Sequence, residues 1–100
     1  MKLVNAIIRT TSLDRVVTSL EAAGIRHLTI FEVKVAGDQV GLFAAHTVYK
    51  IIQIIIPDEK VEEATRIILD NAHTGLAGDG LIAVLPVEHL INIQTMERIG

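Results

Sequence analysis

Residues 48–58 read Val-Tyr-Lys-Ile-Ile-Gln-Ile-Ile-Ile-Pro-Asp, and this stretch carries the strongest fold signal in the chain. Its β-branched residues predict a strand over residues 48–56, which Pro57 ends. Because alternate residues of a strand face opposite sides of the sheet, one row can face helices while the other faces away. The first row is Ile52, Ile54 and Ile56, and the second is Ile51, Gln53 and Ile55, with Leu3 and Ile7 alongside. Both rows are mostly apolar, which predicts a homo-oligomer whose sheets pack inward.

The remaining elements follow from the periodicity on either side of that strand. Alternation predicts strands over residues 3–9, 28–34 and 81–85 and a short fifth strand over residues 90–95. Two apolar stripes predict helices, one capped by Ser12 and ended by Gly24, the other capped by Asp58. The stripes are Leu13, Val16, Val17, Leu20 and Ala23 in the first helix and Val61, Ala64, Ile68 and Ala72 in the second. The order βαββαβ predicts an α+β, ferredoxin-like sandwich in a single domain, residues 1–100, with both helices on one face of an antiparallel sheet.

Composition excludes several classes of function. The chain has 100 residues, of which 50% are hydrophobic, and no cysteine, so disulfides and thiolate metal sites are excluded. A formal charge of −3 without a Lys/Arg cluster argues against nucleic-acid binding. No apolar run is long enough to span a bilayer, and no secretion signal is visible at the N-terminus. We expect a cytoplasmic protein without direct membrane insertion.

Residues 74–80, Thr-Gly-Leu-Ala-Gly-Asp-Gly, lie between the second helix and the fourth strand. Glycines at this spacing let backbone N–H groups approach a ligand, a composition typical of loops that bind phosphate. The run is not a Walker loop, because no Gly-Lys-Ser/Thr follows. The alternative is structural, with Gly75 as a helix C-cap and Asp79-Gly80 as an ordinary turn.

Neither a metal site nor a catalytic set is predicted. The histidines are scattered without an i, i+4 pair, and Asp79 has no paired His or Lys. We therefore expect a binding protein and not an enzyme. A metal site that gathers histidines from several subunits stays open as an alternative. The histidines are His27, His46, His73 and His89.

The chain resembles the PII nitrogen-regulatory proteins, trimeric signal transducers with this element order. The matching runs extend along the whole chain: residues 1–8, 13–16, 23–25, 28–34 and 55–58, the Thr-Gly-x-x-Gly-Asp-Gly run 74–80 and the tail 94–98. The resemblance implies a homotrimer with adenine nucleotides in clefts between subunits. It also favours ligand binding over the structural alternative for residues 74–80.

The resemblance implies a role for each matching position. Two apolar residues match contacts near the adenine, and two threonines match polar positions beside the base. A backbone loop matches the part that surrounds the phosphates, and a glutamine matches one that helps hold a magnesium ion and an oxo-acid effector. These positions are Ile7 and Ile55, then Thr29 and Thr74, then Gly78, Asp79 and Gly80, and finally Gln39.

Four cations that the family usually carries at this site are replaced here. The replacements are Leu81, Asn92, Gln94 and Asp38, and Val35 stands where the family has glycine. A charge-assisted bond to phosphate contributes about 1.5–3 kcal/mol, so tight binding of a triphosphate is not expected. Arg98 and Lys50 are the candidates to compensate. A nucleoside, a monophosphate, a cyclic or dinucleotide, or no nucleotide at all fits better than ATP, and no other cofactor is predicted.

Residues 35–47 correspond to a shortened form of the large T-loop with which the family contacts its partners. The expected partner-binding positions are Gly37, Asp38, Gly41, Phe43 and His46. The only tyrosine, Tyr49, lies at the start of a strand, where packing is its expected role, so control by tyrosine modification is not expected. The resulting hypothesis is a sensor in which a small ligand reorders this loop, and the loop docks on a membrane transporter or a metabolic enzyme. The alternative is a trimeric metal- or metabolite-binding module with a degenerate nucleotide site.

Overall fold

The architecture was determined as a computed structural model that describes residues 1–36 and 47–100. Four strands pair antiparallel in the order β2-β3-β1-β4, one helix follows β1, and a second helix follows β3. A hairpin of two short strands ends the chain. The elements are β1 Lys2–Arg9, α1 Leu13–Ala22, β2 Thr29–Val35, β3 Thr47–Ile56, α2 Val61–Ala72, β4 Gly80–Pro86, β5 Ile91–Asn92 and β6 Glu97–Arg98. The predicted βαββαβ, ferredoxin-like fold is confirmed, while the assignment of residues 1–100 to one domain stays a prediction.

The core lies between the helices and one face of the sheet. The buried residues of β1 and β3 alternate along each strand and pack against the apolar stripes of α1 and α2. Burying each Val or Ile side chain of these rows contributes about 1.5–3 kcal/mol, so the two rows fix both the register and the face that the helices cover. The rows are Val4, Ala6 and Ile8 in β1 and Ile52, Ile54 and Ile56 in β3, of which the β3 row was predicted to face the helices.

The other face of the sheet is also apolar, and no helix of the described residues is packed on it. Leu3 pairs with Ile55 on one side, and Ile7 pairs with Leu81 on the other. In the single chain, Ile55 is 44% exposed and Leu81 is 56% exposed. A second apolar face of this kind is typical of sheets that pack against further copies.

The helix starts differ in part from their predictions. Ser12 immediately precedes α1, as predicted, although it makes no capping side-chain hydrogen bond within the described part of the chain. The prediction that Asp58 caps the second helix is wrong, because residues 58–60 form a separate 3-10 turn and α2 begins at Val61. The Asp58 carboxylate instead lies 3.0 Å from the amino group of Met1. A hydrogen bond from this amine lowers the pKa of the Asp58 carboxyl.

The predicted fifth strand over residues 90–95 is confirmed only in part. Strand β5 covers only Ile91–Asn92, and the chain then turns back into β6. The cause is the side chain of Asn92, whose Oδ1 accepts hydrogen bonds from the N–H groups of Gln94 (2.8 Å) and Thr95 (3.2 Å). An asparagine that bonds to following backbone amides in this way favours a turn over a strand.

Candidate functional site

The glycine run 74–80 is organised around the carboxylate of Asp79. This carboxylate accepts hydrogen bonds from the hydroxyl of Thr74 and from the N–H groups of Thr74 (2.7 Å) and Gly75 (3.0 Å). Arg9 in β1 adds a hydrogen bond from its Nε at 3.3 Å, and Nδ1 of His73 lies 3.8 Å away. These bonds, those from Thr74 foremost, hold the pKa of Asp79 well below its usual value. Asp79 is therefore an ionised acceptor that shapes its own loop.

Two side chains from the sheet bind the carbonyl groups of the same loop. Nη2 of Arg9 donates to the carbonyl of Ala77 at 2.8 Å, and the hydroxyl of Tyr49 donates to the carbonyl of Gly78 at 2.6 Å. Arg9 and Tyr49 are paired neighbours on β1 and β3, and Tyr49 is only 1% exposed. Tyr49 is thus packed inside the protein, as expected, and it also donates a hydrogen bond to the glycine run.

Gly80 brings this loop directly against β1. Its φ is +119°, and a Cβ at this position would lie 1.8 Å from the carbonyl oxygen of Ile7. No L side chain fits such a contact with backbone, so the close approach of the two strands depends on glycine. At the other end of the run, the alternative prediction that Gly75 is the C-cap of the second helix is wrong. Helix α2 ends at Ala72, and its C-cap is His73, two residues before Gly75.

A cavity of about 450 Å³ lies beside the loop. It joins four of the predicted site residues with a wall of apolar side chains from α2 and β4. Polar groups enter it from His73, Thr65 and the loop. The predicted residues are Ile7, Asp79, Gly80 and Leu81, and the apolar wall is Ile68, Leu69, Ala72, Ile82 and Val84. A space of this size and apolar character is typical of sites for small ligands.

A second, smaller cavity of about 320 Å³ contains two other predicted site residues, Thr29 and Ile55. Leu3, His27, Leu28 and Gln53 complete its lining. Gln53 donates from Nε2 to Oδ1 of Asn5 at 3.0 Å, which places a polar pair at the centre of the otherwise apolar face.

The two groups of residues lie at opposite ends of the sheet. Gly80 pairs with Ile8, whereas Ile55 pairs with Leu3, five residues earlier in β1. At about 3.4 Å per residue the separation along the strand is about 17 Å. A single copy of the chain therefore does not gather all the predicted contacts around one small ligand.

Asn92 and Gln94 belong to the Leu3 end of the sheet and not to the glycine run. They lie in the hairpin of β5 and β6, and the segment that leads into it is joined to the start of β1 by the bond from Val87 N–H to the Met1 carbonyl (3.2 Å). The oxygen of the Asn92 side chain already accepts two bonds within its own turn.

The two cations named as possible replacements have other partners. Nζ of Lys50 lies 2.8 Å from a carboxylate oxygen of Glu32, and Nε of Arg98 donates to the carbonyl of Gly100. Among the described residues, the cation that contacts the glycine run is Arg9, which the sequence analysis did not single out. Only the pairing of β1 with β4 brings Arg9 to Asp79, 70 residues away along the chain.

Six predicted positions lie outside the described residues: Gln39 among the ligand contacts, and Gly37, Asp38, Gly41, Phe43 and His46 among the partner contacts. Within residues 1–36 and 47–100, no group of three His, Asp or Glu side chains is close enough to bind a metal ion. No helix in that part of the chain is both long and apolar enough to cross a bilayer.

Comparison with known proteins gives one consistent family. The family model described as "Nitrogen regulatory protein P-II" matches residues 1–97. The chain is similar to the nitrogen regulatory protein P-II of Azospirillum brasilense, with 37% identity over 109 aligned positions that cover 100% of this chain and 97% of the relative. It is also similar to the nitrogen regulatory protein P-II of Cereibacter sphaeroides, with 39% identity over 97% of this chain and 95% of the relative. The nitrogen regulatory protein P-II 2 of Methanothermobacter thermautotrophicus is 36% identical over 97% of this chain and 92% of the relative.

Proposed function

The chain belongs to the nitrogen regulatory protein P-II family of signal-transduction regulators, and we propose that it senses an adenine nucleotide in clefts between the copies of a homotrimer. Binding of the nucleotide changes the conformation of residues 35–47, and this loop contacts the regulated protein, a membrane transporter or a metabolic enzyme.

The observation that carries the proposal is the division of the predicted contacts between two ends of the sheet. The glycine run, with Ile7, lies at one end, and Thr29 and Ile55 line a cavity at the other. In a cyclic trimer each interface is heterologous, so one end of a copy meets a different surface of its neighbour. A nucleotide between two copies then contacts the glycine run of one copy and the Thr29 cavity of the next.

The apolar face of the sheet supports the trimer. Ile55, Leu81 and Leu85 are each more than two fifths exposed in the single chain and lie on the face that carries no helix. Association of the sheets removes this surface from water at about 25 cal/mol per Å² of apolar area. Light scattering should give about three times the chain mass of 10.9 kDa.

The charges of the site favour a nucleotide with a single phosphate. Leu81 follows the glycine run and is 56% exposed, so a hydrocarbon side chain stands where the resemblance to the family implies a lysine. Arg9 is engaged by Ala77 and Asp79. A nucleoside triphosphate has two more charged phosphate groups than a monophosphate, and these would lack a compensating cation. We therefore assign AMP or a cyclic monophosphate as the preferred class of ligand.

Calorimetric titration with adenosine, AMP, cyclic AMP, ADP and ATP tests the ligand. We expect AMP or cyclic AMP to bind more tightly than ATP, and Thr29→Val to weaken binding of every adenine compound. Thr18→Val, an exposed threonine in α1, is the matched control and should leave binding unchanged. If no adenine compound binds wild-type protein, the nucleotide proposal is wrong.

Hydrogen exchange tests the output loop. Since the mechanism is a shift between two loop states, AMP should change amide exchange in residues 35–47, and GMP should not. The alignment with the Azospirillum relative extends over 109 positions against 100 residues here, so nine positions have no residue in this chain. This difference agrees with a shortened loop. Identical exchange with and without AMP would contradict the proposed coupling.

The alternative of a metabolite-binding module keeps one specific observation in its favour. The larger cavity is walled by Ile68, Leu69, Ile82 and Val84, which suits an uncharged, apolar molecule better than a phosphate. Binding of such a molecule in the absence of nucleotide binding would favour this alternative.

A further inference from the structure

Two consecutive peptide groups of the glycine run are held by side chains of the sheet. The carbonyl of Ala77 accepts from Nη2 of Arg9 at 2.8 Å, and the carbonyl of Gly78 accepts from the hydroxyl of Tyr49 at 2.6 Å. Tyr49 is buried in the protein, and Arg9 is additionally anchored by Asp79. The orientation of both peptide planes is therefore set by distant side chains: Arg9 is 68 positions from Ala77 along the chain, and Tyr49 is 29 positions from Gly78.

The same bonds decide where the following amides point. The peptide bonds of the described residues are all trans, and the C=O and N–H of a trans peptide point in opposite directions. The N–H of Gly78 therefore points away from Arg9, and the N–H of Asp79 points away from Tyr49. Successive amides directed to one side of a loop form a concavity that attracts anions.

The local charge does not oppose an anion at these amides. The Asp79 carboxylate is the acceptor for two backbone amides and one hydroxyl, and the guanidinium of Arg9 lies against it. The loop therefore carries one negative and one positive charge in contact. Gly78 is buried and Asp79 is half-buried, so the approach to their amides is narrow and suits one small oxyanion.

We propose that Arg9 and Tyr49 are positioning residues that direct the amides of Gly78 and Asp79 towards a single phosphate group. The identity of that group as the phosphate of an adenine nucleotide rests on the proposed function. The positioning of the two amides does not rest on the proposed function, since it can be tested with inorganic phosphate alone.

The experiment is a titration of the full-length, ¹⁵N-labelled protein with inorganic phosphate, followed by amide chemical shifts. In wild type the amides of Gly78 and Asp79 should be among those that shift most. Tyr49→Phe removes one hydroxyl and keeps the ring, and it should weaken phosphate binding about 3- to 10-fold, the equivalent of one hydrogen bond. Arg9→Lys keeps the charge and loses the two-point contact, and it should weaken binding by a similar factor.

Matched controls remove equivalent bonds elsewhere. Thr10→Val deletes a side-chain hydroxyl that donates to the Val48 carbonyl, and Arg15→Lys deletes a guanidinium bond to the Asn71 carbonyl. Both should retain wild-type affinity for phosphate. If Tyr49→Phe does not fold, the pair Arg9→Lys and Arg15→Lys makes the same comparison.

A second readout separates positioning from general stability. Tyr49→Phe and Arg9→Lys should lower the affinity for AMP by the same factor as for phosphate and leave the affinity for adenosine unchanged. Equal losses for adenosine and AMP, or unshifted Gly78 and Asp79 amides in wild type, would overturn the inference. Phosphate shifts at these amides without any adenosine or AMP binding would sustain the inference and contradict the proposed function.

Discussion

The substitution Gly80→Ala tests the contact on which the shape of the glycine run depends. A Cβ on Gly80 would lie 1.8 Å from the carbonyl oxygen of Ile7, a contact between backbone atoms that no rotamer change relieves. The positive φ of +119° adds a strain of about 1–3 kcal/mol for any L residue. Separating the ends of β1 and β4 costs a further 1–3 kcal/mol, roughly the cost of an overpacked core. We expect a total loss of about 2–6 kcal/mol in the free energy of unfolding.

Gly24→Ala is the matched control for this experiment. Gly24 has a φ of +87°, and a Cβ there would meet no atom within 4 Å, so only the backbone strain applies. In urea or thermal unfolding at fixed protein concentration, Gly80→Ala, which combines strain and clash, should lower Tm by about 8 °C or more, and Gly24→Ala, which has the strain alone, by roughly half as much as Gly80→Ala. Equal losses for the two variants would refute the reasoning, because they would show that the Ile7 carbonyl imposes no steric limit.

Three further changes test the chemistry of the loop and of the hairpin. Asp79→Asn should reduce the free energy of unfolding by about 1–3 kcal/mol at pH 7. Because folding lowers the pKa of Asp79 below 3.8, its contribution is complete above pH 4 and is lost as the pH falls further, so urea unfolding of wild type and Asp79→Asn should converge in acid. Leu81→Lys places a cation beside the loop and, under the proposed function, should raise ATP affinity about 10-fold or more relative to AMP, whereas Leu85→Lys, on the same face near the other end of β4, should not. Asn92→Ala should destabilise the β5–β6 turn by about 1 kcal/mol, with amide shift changes confined to residues 90–98.

The sequence was sufficient for the sheet because its signal is local and repeated. Alternation in β1 and β3 predicts which residues face the helices, and a slip of one residue would expose the whole buried row. The same rule was misleading over residues 90–95, where Ile-Asn-Ile-Gln alternates like a strand. There the side chain of Asn92 competes for the amides of Gln94 and Thr95, and this competition outweighs the weak preference of two isoleucines.

The candidate site was predicted less completely because its contacts are distant in sequence. The glycine run was visible in the composition, yet the side chains that orient it were not, since Arg9 and Tyr49 reach it from two other strands. Asp58 shows the same limit, because its partner is the amino group at the start of the chain. The strand register identifies Arg9 as a residue of the site. Because Ile8 pairs with Gly80, the next residue of β1 lies beside the loop.

The loss of cations around the glycine run has a consequence for how ligand binding should respond to salt. Where phosphate is bound by free lysines and arginines, affinity falls steeply as salt screens the charges. Here Arg9, the nearest cation among the described residues, is in contact with Asp79, and in the proposed arrangement the groups directed at the anion are amide dipoles. Under the proposed function, such a site would hold its ligand through the geometry of the loop and the apolar contacts of the base, both of which salt affects little. Selectivity then depends on whether the phosphate fits between fixed amides, which favours one phosphate group over a chain of three.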